Sequence, residues 1–136
     1  MQSRQVDLEA FEGRVRFVEL REVSEPRGKL VEIDYTALPF TPCRSFVVGD
    51  VPDGLSRGGH AHEKCEQLLV CLQGRVAVEV LSGHRRAEIT LNDKAVGLYI
   101  GPRVWTRQTY FDNAKLLVLA SLPYDLDSYV DDAGQI

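Results

Sequence analysis

Apolar and polar residues alternate with a period of two along most of this chain, and this pattern restricts the folds that it can form. Residues 14–20 read RVRFVEL, and residues 29–35 read KLVEIDY with Val31, Ile33 and Tyr35 on one face. Such alternation is typical of half-buried β-strands. Further β-rich segments lie at residues 45–48, 67–72, 75–81, 87–91, 95–100 and 116–122. The pattern therefore predicts about eight short strands.

Turn-forming residues separate these segments, at Gln73-Gly74, Ser82-Gly83 and Asn92-Asp93. No segment carries a sustained helical stripe, and residues 126–130 predict only a short terminal turn. Short strands at this spacing favour an all-β sandwich, jelly roll or barrel. With 136 residues, 44% of them hydrophobic and 26% charged, the chain has the size and composition of one globular domain. A domain of this size needs no disulfide or structural metal to hold its core.

Charge and cysteine content exclude several classes of protein. The chain has 16 Lys and Arg against 20 Asp and Glu, so its formal net charge of -4 argues against a nucleic-acid partner. The first ten residues, MQSRQVDLEA, lack the apolar core of a secretory signal, and no apolar segment is long enough to cross a bilayer. The three cysteines, Cys43, Cys65 and Cys71, do not resemble a disulfide framework. We expect a cytoplasmic protein with no membrane partner.

The segment GLSRGGHAHEKCEQ, which begins at Gly54, carries most of the chemical information. His60 and His62 are two residues apart, so on an extended strand both imidazoles point to the same face. The glycines before them allow close approach of a ligand to the backbone, and Arg57 adds a cation. The alternative is a solvent-facing pair on a loop. The third histidine, His84, follows Ser82-Gly83 and is expected in an exposed turn.

A zinc site could also be assembled from the two histidines with Cys65 and Cys71. The cysteines, however, occupy strand positions that are common for small buried hydrophobic residues. We therefore favour His60 and His62 as imidazoles that accept and donate protons near neutral pH over a role as zinc ligands.

The histidine segment resembles the first motif of the cupin superfamily at Gly54, His60, His62 and Gly74. The position of the motif's acidic residue is taken by Gln67, whereas Glu66 should face the opposite side of the strand. Residues 97–106, GLYIGPRVWT, resemble the second motif, but Thr106 stands where metal-binding cupins generally place a histidine. Two imidazoles, an amide and a hydroxyl form a poor divalent site, so we predict no metal.

Four stretches make the resemblance specific to one family of cupins. They are EPRGKLVEI, SRGGHAHEKCEQLLVCLQG, AVGLYIGPRVW and VLASLPY, which begin at residues 25, 56, 95 and 118. They are similar to the dTDP-4-keto-6-deoxyglucose 3,4-ketoisomerases over residues 23–130. The resemblance implies a single all-β cupin jelly-roll domain and a homodimer that exchanges N-terminal strands. It also implies an isomerase that needs no cofactor. Its substrate would be a dTDP-linked 4-keto-6-deoxyhexose in deoxysugar biosynthesis.

The implied reaction moves a ketone from carbon 4 to carbon 3 of the sugar through an enediol, which requires proton transfer at carbon. The resemblance assigns His60 as the main base and His62 as its partner at the sugar oxygens, and the reverse order stays open. Gln67 would orient a histidine or a sugar hydroxyl, unless it is an ordinary polar strand residue. Further substrate contacts are expected from Arg27, Arg57 and Arg107 at the diphosphate and from Tyr99, Trp105 and Thr106 around the pocket.

The chain departs from this family at two positions. Phe46 and Val47 stand where the family usually has a tyrosine, and Thr106 stands where it often has a histidine. Either Thr106 and ordered water replace these groups, or the reaction differs. Whether the product has the gluco or the galacto configuration depends on the face at which carbon 4 is reprotonated. Two other functions stay open: a non-catalytic sugar-binding cupin, and a metal-dependent cupin enzyme. Exchange of the sugar's ring hydrogens with deuterated water distinguishes an isomerase from a binding protein. The metal content of the purified protein identifies a metal-dependent enzyme.

Overall fold

The computed structural model describes residues 7–124 and 128–130, and almost all of its regular structure is β-strand. The ten strands are β1 (Val15–Glu19), β2 (Arg21–Glu25), β3 (Gly28–Glu32), β4 (Arg44–Val48), β5 (Ser56–His62), β6 (Gln67–Ser82), β7 (Arg85–Leu91), β8 (Val96–Ile100), β9 (Trp105–Ala120) and β10 (Tyr129–Val130). Short 3-10 turns occur at Glu9–Phe11 and Tyr35–Ala37. No helix in the described ranges is long and apolar enough to cross a membrane.

Strands β6 and β9 form the centre of the fold, because they pair along nearly their whole length, from Gln67 opposite Ala120 to Leu81 opposite Trp105. At the end of this ladder near Gln67, β8 pairs with β6, β1 pairs with β8, and β4 pairs with β9. At the other end, β7 pairs with β6, β5 pairs with β9, and β10 pairs with β5. Every pairing is antiparallel. The two ends form the facing sheets of a jelly roll, which confirms the predicted all-β cupin architecture.

The turn predicted at Gln73-Gly74 is wrong, since β6 passes through this point without reversing. The register shifts on both sides of Gln73, so the segment is a bulge in one continuous strand. Gly74 has a φ of 73°, and a Cβ there would lie 2.7 Å from the Cα of Ala114 on β9. The prediction that residue 74 uses the conformational freedom of glycine is correct. This freedom permits a bend and a close strand contact instead of a turn.

Strand β9 begins eleven residues earlier than the predicted segment at 116–122. The missing half was overlooked because it is rich in polar residues, with Thr106 and Gln108 on the face that lines the interior. Apolar alternation identifies strands that pack against a dry core, and this half of β9 faces a cavity.

The segment predicted as a strand at residues 29–35 ends at Glu32 instead, and it pairs with a strand that the sequence pattern did not reveal, β2. Asp34 stops the strand because its carboxylate accepts a hydrogen bond from the backbone N–H of Thr36 and starts a turn at Tyr35. The β2–β3 hairpin forms its own two-stranded sheet, and within the described chain it pairs with no other strand.

The terminal turn predicted at residues 126–130 is also corrected. Leu126 and Asp127 lie outside the described residues, and Tyr129–Val130 form the short strand β10. This strand pairs with Ala61 and His62 of β5, so it brings a tyrosine to the histidine segment.

Successive residues of β6 pack on opposite faces of the sheet and supply two separate cores. Leu69 joins the interior cluster with Val76, Val78 and Leu98. Leu68 and Val70 join an outer cluster with Phe40, Tyr99 and Leu119. The interior core fills only part of the space between the sheets, and the remainder is a cavity.

Candidate active site

The cavity lies between the sheets and has a volume of about 340 Å³. Its residues come from β4, β5, β6 and β9, together with two tyrosines near the end of the chain. They are Arg44, Phe46, Val48, Arg57, Gly58, His60, His62, Gln67, Leu69, Thr106, Gln108, Tyr110, Leu116, Val118, Tyr124 and Tyr129. Polar groups from β5 and the first half of β9 face apolar groups from β4 and the second half of β9. A site of this kind suits a ligand with both polar and apolar surfaces.

His60 and His62 form the centre of the polar wall. Their ring centroids are 5.2 Å apart with the planes at 72°, so both imidazoles do point to one face, as the strand spacing predicts. The ring of Tyr129 lies 4.5 Å from that of His60 and 4.9 Å from that of His62. His62 is only 7% exposed. Two imidazoles and a phenol in contact provide groups that can accept and donate protons next to a bound ligand.

Thr106 and Gln108 form the neighbouring part of this wall on β9. Thr106 is the register partner of His60, and Gln108 is the register partner of Arg57. The Gln108 Nε2 donates a hydrogen bond of 2.9 Å to the Thr106 Oγ1. Gly58 lies against the other end of this amide, where an added Cβ would be 2.8 Å from the Gln108 Oε1.

Arg57 brings a positive charge to the cavity, close to Tyr110. Burial raises the pKa of Tyr110 to about 12, while the Arg57 guanidinium opposes this shift. Tyr110 is therefore a neutral phenol at physiological pH, and it can donate as well as accept a hydrogen bond.

Arg44 and Tyr124 lie at a second side of the cavity, beside the apolar wall. The Arg44 Nε donates to the backbone oxygen of Leu122 at 2.9 Å, and its guanidinium carbon lies 5.1 Å from the centre of the Phe46 ring and 5.7 Å from that of Tyr124. Tyr124 is 70% exposed, so its ring is accessible to a ligand that enters from solvent.

Five of the residues predicted from the sequence meet in this cavity: Arg57, His60, His62, Gln67 and Thr106. Gln67 is buried and faces the cavity, whereas Glu66 faces away, as the alternation of β6 requires. The remaining four predicted substrate contacts, Arg27, Tyr99, Trp105 and Arg107, lie elsewhere.

Tyr99 does not line the pocket, which corrects the prediction made for it. It lies on the outer face of β8, where its hydroxyl donates a hydrogen bond of 2.6 Å to the Glu66 Oε1. Its ring packs 6.1 Å from that of Phe40 in the outer cluster. Burial and the Glu66 carboxylate raise the pKa of Tyr99. Tyr99 is thus an ordinary strand aromatic of the outer cluster.

Trp105 and Arg107 are also outside the cavity, because they alternate with Thr106 along β9 and point to the outer face. The Arg107 guanidinium donates a hydrogen bond of 2.7 Å to Glu79, and its carbon lies 5.8 Å from the centre of the Trp105 ring. Glu79 is also bonded to Arg86. Arg107 is therefore paired with the buried carboxylate of Glu79 and does not face a ligand in the cavity.

Arg27 lies at the turn of the β2–β3 hairpin, away from the cavity of its own chain. Its guanidinium forms an ion pair of 2.9 Å with Glu25, and its side chain is 90% exposed. The expectation that Arg27 and Arg57 converge in one barrel does not hold within a single chain.

Sequence reasoning missed Gln108, Tyr110, Tyr129 and Arg44. Two of them carry a signal that was available: starting from Thr106, alternation along a strand places residues 108 and 110 on the same face. Tyr129 carries no such signal, since its position depends on a long-range pairing between β10 and β5.

The zinc ligand set that the sequence allowed is not assembled. Within residues 7–124 and 128–130, no group of three or more His, Cys, Asp or Glu is placed to hold a metal ion. Cys71 is part of the interior core, where its Sγ bonds to the backbone oxygen of Gln73, and burial raises the pKa of its thiol. The donors beside the two histidines are an amide and a hydroxyl, which are poor ligands for a divalent transition metal.

Comparison with known proteins identifies the family. The profile described as FdtA: WxcM-like, C-terminal, matches residues 13–135. A curated protein of Aneurinibacillus thermoaerophilus, named TDP-4-oxo-6-deoxy-alpha-D-glucose-3,4-oxoisomerase, is 38% identical over 117 residues, which are 85% of this chain and 84% of that protein.

Solved structures agree with this match. The 3,4-ketoisomerase QdtA of Thermoanaerobacterium thermosaccharolyticum, in complex with TDP, is 34% identical with a TM-score of 0.83, covering 88% of this chain and 89% of that one. A histidine-to-asparagine variant of QdtA was solved with TDP-4-keto-6-deoxyglucose. The TDP-quinovose 3,4-ketoisomerase WlaRB of Campylobacter jejuni is 32% identical with a TM-score of 0.84, covering 90% and 96%. This chain therefore belongs to the FdtA, WxcM-like C-terminal family, which confirms its resemblance to the sugar-nucleotide 3,4-ketoisomerases of the cupin superfamily.

Proposed function

We propose that this protein is an isomerase that moves the ketone of a TDP-linked 4-keto-6-deoxyhexose from carbon 4 to carbon 3. The observation that carries the proposal is the contact of His60, His62 and Tyr129 on the polar wall of the cavity. The relatives support it, because proteins that match over most of this chain are named as enzymes of this reaction.

The reaction needs a base at carbon and proton donors at oxygen. His60 removes the hydrogen from carbon 3, the C3–H electrons form a C3=C4 double bond, and the carbon 4 oxygen receives a proton. The carbon 3 hydroxyl of the enediol then loses its proton, the C3=O bond forms, and carbon 4 takes up the hydrogen. His62 transfers the protons at the two oxygens, and exchange of the two histidine roles gives the same balance.

The remaining cavity groups divide between the two parts of the substrate. Arg57 binds the diphosphate, because a guanidinium matches phosphate geometry with paired donors. Gln67 and Thr106 bind sugar oxygens. Tyr110 and Tyr129 provide phenols in the cavity, so the aromatic position at Phe46 does not leave the site without a phenolic donor.

We further propose that the protein is a homodimer in which each β2–β3 hairpin contacts the cavity of the other subunit. Two features support this: the hairpin pairs with no other described strand of its own chain, and Arg27 is 90% exposed at its turn. A partner's hairpin would bring the Arg27 guanidinium to the diphosphate beside Arg57.

Three free cysteines, two of them buried, also support action in a reducing cytoplasm.

The function is tested by incubating the protein with TDP-4-keto-6-deoxyglucose in deuterated water. We expect the 3-keto product, with deuterium at a ring carbon. His60→Asn should lower kcat by about a thousandfold, which lies within the range for a general base, while TDP still binds. The matched control is His84→Asn, which lies in the turn between β6 and β7 and should leave kcat unchanged.

Two results would contradict the proposal. Binding of the TDP-sugar without hydrogen exchange would indicate a non-catalytic binding protein. Loss of activity on treatment with EDTA, and its recovery when a stoichiometric divalent metal is returned, would indicate a metal-dependent cupin enzyme. Full turnover by His60→Asn would transfer the role of base to His62.

A further inference from the structure

We infer that Gln108 is a positioning residue, which fixes the Thr106 hydroxyl as a hydrogen-bond donor toward the sugar oxygen that gains charge in the reaction. This inference rests on the proposed ketoisomerase function and extends it to a residue outside the recognised motifs. Thr106 contacts the reacting oxygen, and Gln108 acts through Thr106.

The direction of the hydrogen bond between Gln108 and Thr106 determines which group can face a ligand. The amide Nε2 of Gln108 is a donor only, so the Thr106 Oγ1 must be the acceptor in their 2.9 Å contact. A hydroxyl that accepts on one side keeps its own hydrogen for another partner. Thr106 is 6% exposed and lines the cavity, so the partner in question is a ligand.

The amide of Gln108 is hydrogen-bonded at one end and occupies the space above Gly58 at the other. One end is bonded to Thr106, and the Oε1 end lies over the backbone of Gly58, where a Cβ would come within 2.8 Å of it. Gly58 has a φ of 90°, which disfavours any other residue there. A close fit over a glycine restricts the rotation of the amide and thereby the orientation of the Thr106 hydroxyl.

The hydroxyl is placed where the reaction needs a donor. Thr106 is the register partner of His60, so its side chain and the imidazole project from adjacent strands toward the same part of the cavity. When the base removes hydrogen from carbon 3, negative charge develops on the carbon 4 oxygen. A donor already oriented toward this oxygen stabilises the transition state without a reorganisation cost.

Reversing the direction of the hydrogen bond between Gln108 and Thr106 provides the test. Gln108→Glu has nearly the same shape, but at neutral pH the introduced carboxylate only accepts hydrogen bonds, so it draws the Thr106 hydroxyl hydrogen away from the substrate. We expect kcat to fall by about a hundredfold, as for loss of one oxyanion donor, and KM to rise as well, because the introduced carboxylate lies opposite Arg57 in the strand register. Thr106→Val should cause a similar fall, and Thr106→Ser should keep most of the activity.

The double variant separates positioning from general damage. Once Thr106→Val has removed the hydroxyl, Gln108→Glu should lower kcat by less than about threefold more, because the two changes act through one group. Thr109→Val is the matched control on the outer face of β9 and should leave kcat unchanged. A far-UV circular dichroism spectrum and a Tm close to those of the wild type show that each variant is folded.

Additive losses in the double variant, or a Gln108→Glu enzyme as fast as the wild type, would overturn the inference while the isomerase function stands. Gln108→Leu is a second probe that introduces no charge. We expect an intermediate loss of kcat from it, since the hydroxyl is then unrestrained, and no loss would also count against the inference. A wild-type protein that fails to isomerise the sugar would overturn both proposals.

Discussion

Arg57 is the residue whose role is most directly measurable, because it is the charged side chain of β5 that lines the cavity. Arg57→Ala should weaken TDP binding by about 1.5 to 3 kcal/mol, the range for a charge-assisted hydrogen bond. Arg57→Lys should recover only part of this loss, because an ammonium lacks the paired donors of a guanidinium. Isothermal calorimetry measures both. Equal TDP affinity in Arg57→Ala and wild type would show that the diphosphate binds elsewhere.

Arg107→Ala is the matched control for that experiment. Arg107 comes from the adjacent strand, but it is bonded to Glu79 on the outer face. Its removal should leave TDP affinity unchanged, since this ion pair lies on the outer face and does not reach the cavity.

Tyr110 should make stability depend on pH in the alkaline range. Its pKa is raised to about 12 in the folded protein, so the folded state holds this proton more tightly than the unfolded chain, where the pKa is about 10. The free energy of unfolding should therefore fall as pH rises from about 10 to about 12. In Tyr110→Phe this fall should be shallower, with Tyr99 contributing the remainder. Urea unfolding at several pH values tests this, and identical slopes would contradict it.

At the scale of elements, the bulge at Gly74 should be the most sensitive point of the long ladder. Gly74→Ala would combine a left-handed backbone with a Cβ 2.7 Å from backbone atoms of β9. We expect it to lower the free energy of unfolding by about 3 kcal/mol or more. Gly83→Ala is the matched control, because Gly83 has a φ of 61° with no atom within 4 Å of the added Cβ. It should cost only about 1 kcal/mol, for the backbone strain alone.

The elements also show what the sequence could predict and what it could not. The H-x-H spacing placed both imidazoles on one face. Alternation found the strands that pack on a core, although the segments at 67–72 and 75–81 are one strand, β6. It failed at β2, which is mostly exposed, and at the first half of β9, whose inward face is polar. The sequence also assigned Tyr99, Trp105 and Arg107 to the site by their closeness to a motif. Strand alternation sends all three outward.

For the whole molecule, the proposed dimer predicts that a mixture of two defective chains recovers activity. His60→Asn disables the base, and Arg27→Ala removes the arginine that would reach the partner's cavity. After co-refolding, half of the dimers contain one chain of each kind, and one of their two sites has both residues intact. The mixture should reach about a quarter of the wild-type activity, well above either variant alone.

An equal mixture of His60→Asn and Arg57→Ala is the matched control. Both residues lie in the same cavity of one chain, so every mixed dimer still has one defect in each site. This mixture should not exceed the Arg57→Ala activity that it contains. A lack of recovery in the first mixture would place Arg27 outside the partner's site.

The alternation along β9 has a practical consequence for altering the substrate range. Residues 106, 108 and 110 shape the cavity, while 105, 107 and 109 between them belong to the outer surface. A combinatorial library limited to every second codon of this segment would therefore diversify the binding pocket and leave the surface charge untouched. An insertion of one codon would have the opposite effect, because it would turn Arg107 inward and bury its charge beside the histidines.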